Sequence, residues 1–181
     1  IEGTLIQDPA VAVNPNLMHP FTATQITQKG IEHLTEYARV IREQLGSTIP
    51  IAIDHFGHIG LDSGIRLGRA LDRFTFAWYE DMLPWQFPKQ MKAIKDAVET
   101  PVCTGEDIYL RQEFKTLLDE DCVSYVHPDL ATSGGILETK RIGDLAQEYG
   151  VPMVLHQAGS PIVAMANVHC AAATENFVAL E

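Results

Sequence analysis

Six short apolar runs recur along the chain: Pro50 to Ile53, Phe76 to Tyr79, Pro101 to Cys103, Cys122 to Val126, Val151 to Leu155 and Phe177 to Leu180. None alternates polar with apolar residues, so each reads as a strand buried on both faces, the habit of a parallel sheet covered by helices. Between the runs, apolar residues fall three and four apart: Ile31, Leu34, Ala38, Ile41 and Leu45, then Leu61, Ile65, Gly68 and Leu71, then Met91, Ile94 and Val98, then Phe114 and Leu117, then Ile142, Leu145 and Tyr149. That spacing puts one apolar stripe on each helix, facing the sheet. Asp62, Ser63, Asp107, Thr132 and Ser133 stand near the predicted helix starts as caps, and Gly46 and Gly150 near helix ends. The pattern predicts an α/β fold of βαβ units from residue 26 onward.

Each run ends in a group able to do chemistry. Asp54, Glu80, Glu106, Asp129, His156 and Glu181 follow one another at intervals of 26, 26, 23, 27 and 25 residues. One strand plus one returning helix has that length, so the groups arrive at the same end of successive strands. Neighbouring strands lie about 4.8 Å apart, which makes Asp54, Glu80 and Glu106 converge on a small space. Three carboxylates so placed repel one another unless a cation sits among them. A hard divalent ion that prefers oxygen, Mg²⁺ above all, fits such a set without His or Cys. One such acid alone would read as a cap or a surface carboxylate; three at matching intervals read as a metal site. Asp81 adjoins Glu80, but strand alternation turns it to the other face, so the ligand falls on Glu80. Asp129 and His156 end successive strands, which lets the carboxylate accept from one imidazole nitrogen and raise the basicity of the other. His156 is then the general base, or acid, on one face of a substrate.

Composition narrows the partners. A chain of 181 residues, 46% hydrophobic, can bury a substantial core as one domain. Its formal net charge of −11 and lack of a basic stripe argue against nucleic acid. Cys103, Cys122 and Cys170 lie in or beside buried runs, which suits reduced core thiols in the cytoplasm better than a disulfide framework. No apolar stretch approaches the roughly 20 residues that span a bilayer, and no signal peptide opens the chain, so no membrane partner is expected. The chain begins at Ile1, and six strands cannot close an eight-stranded barrel, so it reads as part of a larger protein. Residues 1 to 24, with Pro9, Pro15 and Pro20, read as a long loop preceding the first helix, and residues 25 to 181 as the domain.

The segments IAIDHFGH, FAWYEDMLPW, VCTGEDIY, YVHPDLATSGGI and PMVLHQAGSPI, in this order and at these intervals, resemble the barrel domain of the enolase superfamily over residues 26 to 181. The resemblance is to the mandelate racemase and acid-sugar dehydratase branch, which includes muconate lactonizing enzyme-like proteins. It implies part of a modified TIM-type (β/α)7β barrel whose N-terminal capping domain and first strands are not in this chain. It implies Mg²⁺ on Asp54, Glu80 and Glu106, a catalytic dyad of Asp129 and His156, a Glu181 that helps hold the enolic intermediate, and a homo-oligomer. The bottom-up chemistry agrees: removing a proton beside a carboxylate builds a dianionic enediolate, which a Lewis-acidic cation stabilises. A Lys or His base beside Mg²⁺ recurs in that superfamily.

The chain departs from the family pattern in two places. No lysine pair precedes the first helix, so a base on the opposite substrate face is expected outside this chain. Galactonate and mannonate dehydratases carry a His two residues beyond the first metal ligand, where this chain has Phe56; His55 should point away from the barrel mouth, and His58, in the loop beyond, is the better second acid. Trp85, Tyr109, His127 and Ser160 are candidate substrate contacts. Ser160 precedes Pro161, which suits a helix's first turn, so amides there can hold a substrate hydroxyl or carboxylate, or Ser160 is a plain cap. Gly134 and Gly135 read as a loop. Four functions are expected in descending order: dehydration of an acid sugar to a 2-keto-3-deoxy acid, racemisation or epimerisation of a 2-hydroxy acid, cycloisomerisation, and a non-catalytic binding module.

Overall fold

Helix α1, Gln28–Leu45, starts where Thr27 leaves the extended region and its Oγ1 accepts the Gly30 amide at 3.0 Å. It ends at Gly46, whose φ of 73° is the left-handed stop that glycine adopts freely. The computed structural model describes residues 25–54 and 59–181, and the chain divides at Pro101 into two compact units. The predicted loop 1–24, and His55, Phe56 and His58, lie outside the described residues.

The first unit continues with α2, Leu61–Leu71, a 3₁₀ turn, Asp72–Phe74, strand β1, Tyr79–Glu80, and α3, Pro88–Lys95. The predicted stripes bury Ile31, Leu34, Ala38, Leu71, Met91 and Ile94. The run at 50–53 pairs in parallel with the next: Ala77 donates to the Ile51 carbonyl at 2.8 Å and Glu80 to that of Ile53 at 2.8 Å. It is not buried on both faces as predicted, for Ile51 and Ile53 are half-buried and Ala52 is exposed. One aspartate ties the unit together. Asp72 accepts the Glu99 and Thr100 amides at 3.0 and 3.1 Å, and its Oδ1 lies 3.1 Å from the Tyr79 phenol, which is also 3.0 Å from the Gly68 carbonyl. Burial holds the Tyr79 hydroxyl far above its ordinary pKa, so it remains a donor.

The second unit runs β2, Val102–Thr104; α4, Leu110–Asp119; β3, Tyr125–Val126; α5, Leu130–Ser133; α6, Ile136–Glu148; β4, Met153–Leu155; α7, Pro161–Ala172; and β5, Phe177–Leu180. Its strands are parallel in the order β2-β3-β4-β5, with Thr104 opposite Val126, Val126 opposite Met153, and Leu155 opposite Leu180. The α/β class expected from the apolar pattern is the one adopted. Strands β2 and β4 are buried throughout, packed with Phe114, Leu117, Ile142 and Ala146 from the helices. In strand β5, Val178 is 56% exposed. All three cysteines are buried free thiols, and burial pushes the Cys170 thiol up from its ordinary pKa.

Most predicted N-terminal caps are corrected. Helix α2 follows Gly60 without a side-chain cap, because Ser63 Oγ instead accepts the Ile26 amide at 3.0 Å and donates to Gln25 Oε1 at 2.9 Å. Tyr109, not Asp107, precedes α4, and Thr132 and Ser133 lie inside α5, which Asp129 caps. The two C-terminal glycines behave as predicted: Gly150 follows α6 at φ 71°.

Strand β2 closes on Gly105, at φ 150°, where an added Cβ would stand 2.8 Å from Phe114 Cε1 and 2.9 and 3.0 Å from the His127 backbone. Replacing Gly105 with Ala is expected to cost about 2–4 kcal/mol, read as a lowered urea midpoint; an unchanged midpoint contradicts the close approach. Tyr79→Phe leaves the Gly68 carbonyl without the phenol and is expected to cost about 1–2 kcal/mol in the same measurement.

Candidate functional site

The second unit brings four of the six strand-end groups together, three carboxylates around one imidazole. His156 directly follows β4, and its Nδ1 lies 2.7 Å from Asp129 Oδ2. A carboxylate only accepts, so Nδ1 donates to Asp129 and Nε2 is the nitrogen turned to the other carboxylates. That nitrogen lies 3.1 Å from Glu106 Oε2 and 3.6 Å from Glu181 Oε2. Asp129 and His156 are nearly buried, at 7% and 15% side-chain exposure, whereas Glu181 is 43% exposed.

Asp129 is held by the helix it starts. Its Oδ1 accepts the Ala131 amide at 2.6 Å and its carbonyl accepts from Ser133 at 2.7 Å, so one short turn of helix fixes the carboxylate while Oδ2 remains for His156. Gly134 and Gly135, at φ 119° and 86°, end that turn and begin α6, which fits the predicted loop.

The sequence reading did not single out Gln157 and Asn167. Glu181 Oε2 accepts the Gln157 amide at 3.2 Å, and Gln157 Oε1 accepts from Asn167 Nδ2 at 2.7 Å. Asn167 is fully buried in α7 and also reaches the His156 carbonyl at 3.3 Å. A lone asparagine in the otherwise apolar stretch PIVAMANV was the available signal, since a buried amide needs partners. His127, read as a substrate contact, is fully buried, its ring edge-on to that of His156 with centroids 5.4 Å apart. It lies beneath the imidazole and away from solvent.

In the first unit, Asp54 and Glu80 end adjacent parallel strands and offer carboxylate oxygens within 4.8 Å of each other. Glu80 is 1% exposed, and its Oε2 accepts the Trp78 indole N–H at 2.8 Å. An oxygen-only pair at this spacing fits a hard divalent cation such as Mg²⁺. Asp81 follows with φ 45°, so the chain leaves the extended conformation there and strand alternation no longer governs its side chain.

The remaining predicted contacts have these local settings. Trp85 is half-buried in the turn before α3, and Tyr109 is 66% exposed ahead of α4. Ser160 occupies the N-cap position of α7, exposed and without a side-chain cap bond; its carbonyl accepts from Ala164 at 3.0 Å. Among the described residues, no helix is long and apolar enough to cross a membrane.

Comparison with known proteins shows the family of the chain. The profile of the "Enolase C-terminal domain-like" family matches residues 14–181. A D-xylonate dehydratase of Haloferax volcanii is 35% identical over 83% of this chain, and the chain spans 37% of that enzyme's length. A mandelate racemase/muconate lactonizing enzyme-like protein from Rubrobacter xylanophilus superposes with a TM-score of 0.84 at 34% identity, over 86% of this chain and 40% of that one. An enolase from Agrobacterium radiobacter, solved with sodium and L-malate bound, superposes with a TM-score of 0.79 at 32% identity, over 83% of this chain and 38% of that one. The chain belongs to the enolase C-terminal domain-like family, and the mandelate racemase/muconate lactonizing enzyme-like members are those it is similar to.

Proposed function

We propose that the complete protein removes the proton α to the carboxylate of an acid sugar and eliminates the β-hydroxyl, leaving a 2-keto-3-deoxy acid. The observation that carries this reading is the 2.7 Å bond from His156 Nδ1 to Asp129, which leaves Nε2 as the basic atom beside Glu106 and Glu181. The dehydratase name of the haloarchaeal relative and the hydroxy diacid bound in the Agrobacterium enolase favour a hydroxylated carboxylate as substrate.

His156 Nε2 takes the proton from C2, and the imidazolium so formed is stabilised by the Asp129 carboxylate. The C2–H electron pair moves into the carboxyl group as an enediolate, then returns to form C2=C3 as the C3–O bond breaks. The leaving hydroxide takes the proton back from Nε2 and departs as water, which a single histidine can serve when proton and hydroxyl leave from one face. The enol then tautomerises to the ketone. Glu181, fixed by the Gln157 amide, is the group proposed to hydrogen-bond the enolic oxygen. Asp54, Glu80 and Glu106 are the proposed Mg²⁺ ligands, on the strength of their strand-end recurrence and oxygen-only chemistry. Bound there, Mg²⁺ supplies Lewis-acid stabilisation of the charge that builds on the substrate carboxylate. Trp85, Ser160 and His58 are proposed as substrate contacts.

His156→Asn in the complete protein is expected to lower 2-keto acid formation from aldonic and aldaric acids by on the order of 10²–10⁴-fold with the circular dichroism spectrum kept. Deuterium entering C2 from solvent without elimination would replace this reading with a racemase or epimerase. For Glu106→Gln the expected result is Mg²⁺ affinity weakened more than about tenfold in calorimetric titration, with the fold retained. Wild-type turnover in that variant, or in the presence of a chelator, removes the metal from the mechanism.

A further inference from the structure

Strands β3 and β4 pair in parallel with Val126 opposite Met153, and the Val126 amide donates to Pro152 at 3.1 Å. In a parallel ladder the next residues to bond are 128 and 155: the amide of 156 donates to the carbonyl of 128, and the amide of 128 donates to the carbonyl of 154. The first of these is present, His156 N to Pro128 O at 3.2 Å. The second cannot form, because residue 128 is proline and has no N–H. The Val154 carbonyl is buried, and a side chain meets it instead: His127 Nδ1 lies 3.1 Å away. A carbonyl only accepts, so Nδ1 carries the proton.

We propose that His127 is a positioning residue, the side-chain donor that completes the β3–β4 ladder where Pro128 cannot and so holds the strand end presenting His156. The neighbouring geometry follows from that bond. The ring it anchors stands edge-on to the His156 imidazole at 5.4 Å, with an interplanar angle of 78°, and its Nε2 lies 4.0 Å from Glu181 Oε2. His127 is itself fixed from behind: its amide donates to the Thr104 carbonyl at 3.0 Å, against the backbone of Gly105, where no side chain would fit. The chain therefore runs a continuous brace from β2 through His127 to the residue that precedes the base by two. Leaving the amide of Pro128 out of the ladder lets the chain turn at once into Asp129 and its capped helix, and the imidazole of His127 restores the bond that the turn removes.

The effect on turnover rests on the proposed function; the effect on the strand does not, and the test separates them. His127→Leu and His127→Gln are compared in the complete protein, because glutamine can donate an N–H to Val154 and leucine cannot. In the leucine variant, amide hydrogen exchange over residues 154–157 is expected to speed by about tenfold. Its kcat is expected to fall about 10–100-fold with KM changed less than threefold. Glutamine is expected to return both to within about fivefold of the parent. Exchange that speeds in leucine and recovers in glutamine upholds the proposal even where no acid sugar is turned over, in which case only the dehydratase reading fails. Unchanged exchange in His127→Leu, equal damage in both variants, or acceleration spread evenly over the whole protein overturns it.

Discussion

The two oxygens of Asp129 carry the arrangement around His156. One accepts the Ala131 amide and caps a single turn of helix; the other accepts the imidazole N–H. A cap of this kind contributes about 1 kcal/mol, and a hydrogen bond to a charged group about 1.5–3 kcal/mol. Because one carboxylate serves both, the direction of α5 and the orientation of the His156 ring are set together. With Nδ1 engaged by Asp129, Nε2 is the nitrogen that faces Glu106 and Glu181.

Short strands make this possible. In the second unit no strand exceeds four residues, so each delivers one chemical group to its end and then turns. The turns are written in residues with special backbones: Gly105 where β2 meets the His127 backbone, Pro128 where the β3–β4 ladder lacks one amide, Gly134 and Gly135 where α5 gives way to α6. Each such turn breaks regular hydrogen bonding, and side chains repair the break. His127 serves Val154, and Asn167 serves His156 and Gln157. These repairing groups are buried polar residues with partners on other elements, which is why they act on the reactive groups without reaching solvent.

Part of this was legible before the structure. The runs ending at Glu80, Glu106, Asp129, His156 and Glu181 became the strands or strand ends foreseen, because apolar content and spacing report burial directly. The caps were read less well. Ser63, Thr132 and Ser133 have capping chemistry, but Ser63 bonds to Gln25 and Ile26, and Asp129 lies nearer the helix start than either of the others. Ser160 has the backbone of a cap and lacks the bond. The apolar residues of α7 did not predict its orientation either: Ile162 is 81% exposed, while the polar Asn167 is buried.

The sequence by itself determined the class of fold and the identity of the strand-end groups, since both depend on local spacing: apolar runs separated by one helix, each closed by an acid or an imidazole. Only the tertiary structure decided which nitrogen of His156 faces the glutamates, that Asp129 is both cap and partner, that His127 lies beneath the site, and that the Gln157 amide, on a residue Asn167 also bonds, holds Glu181. Those facts depend on contacts between residues 10 to 27 positions apart. Their distances are set by strand register and by the turns at Gly105 and Pro128, which spacing along one strand or helix does not encode.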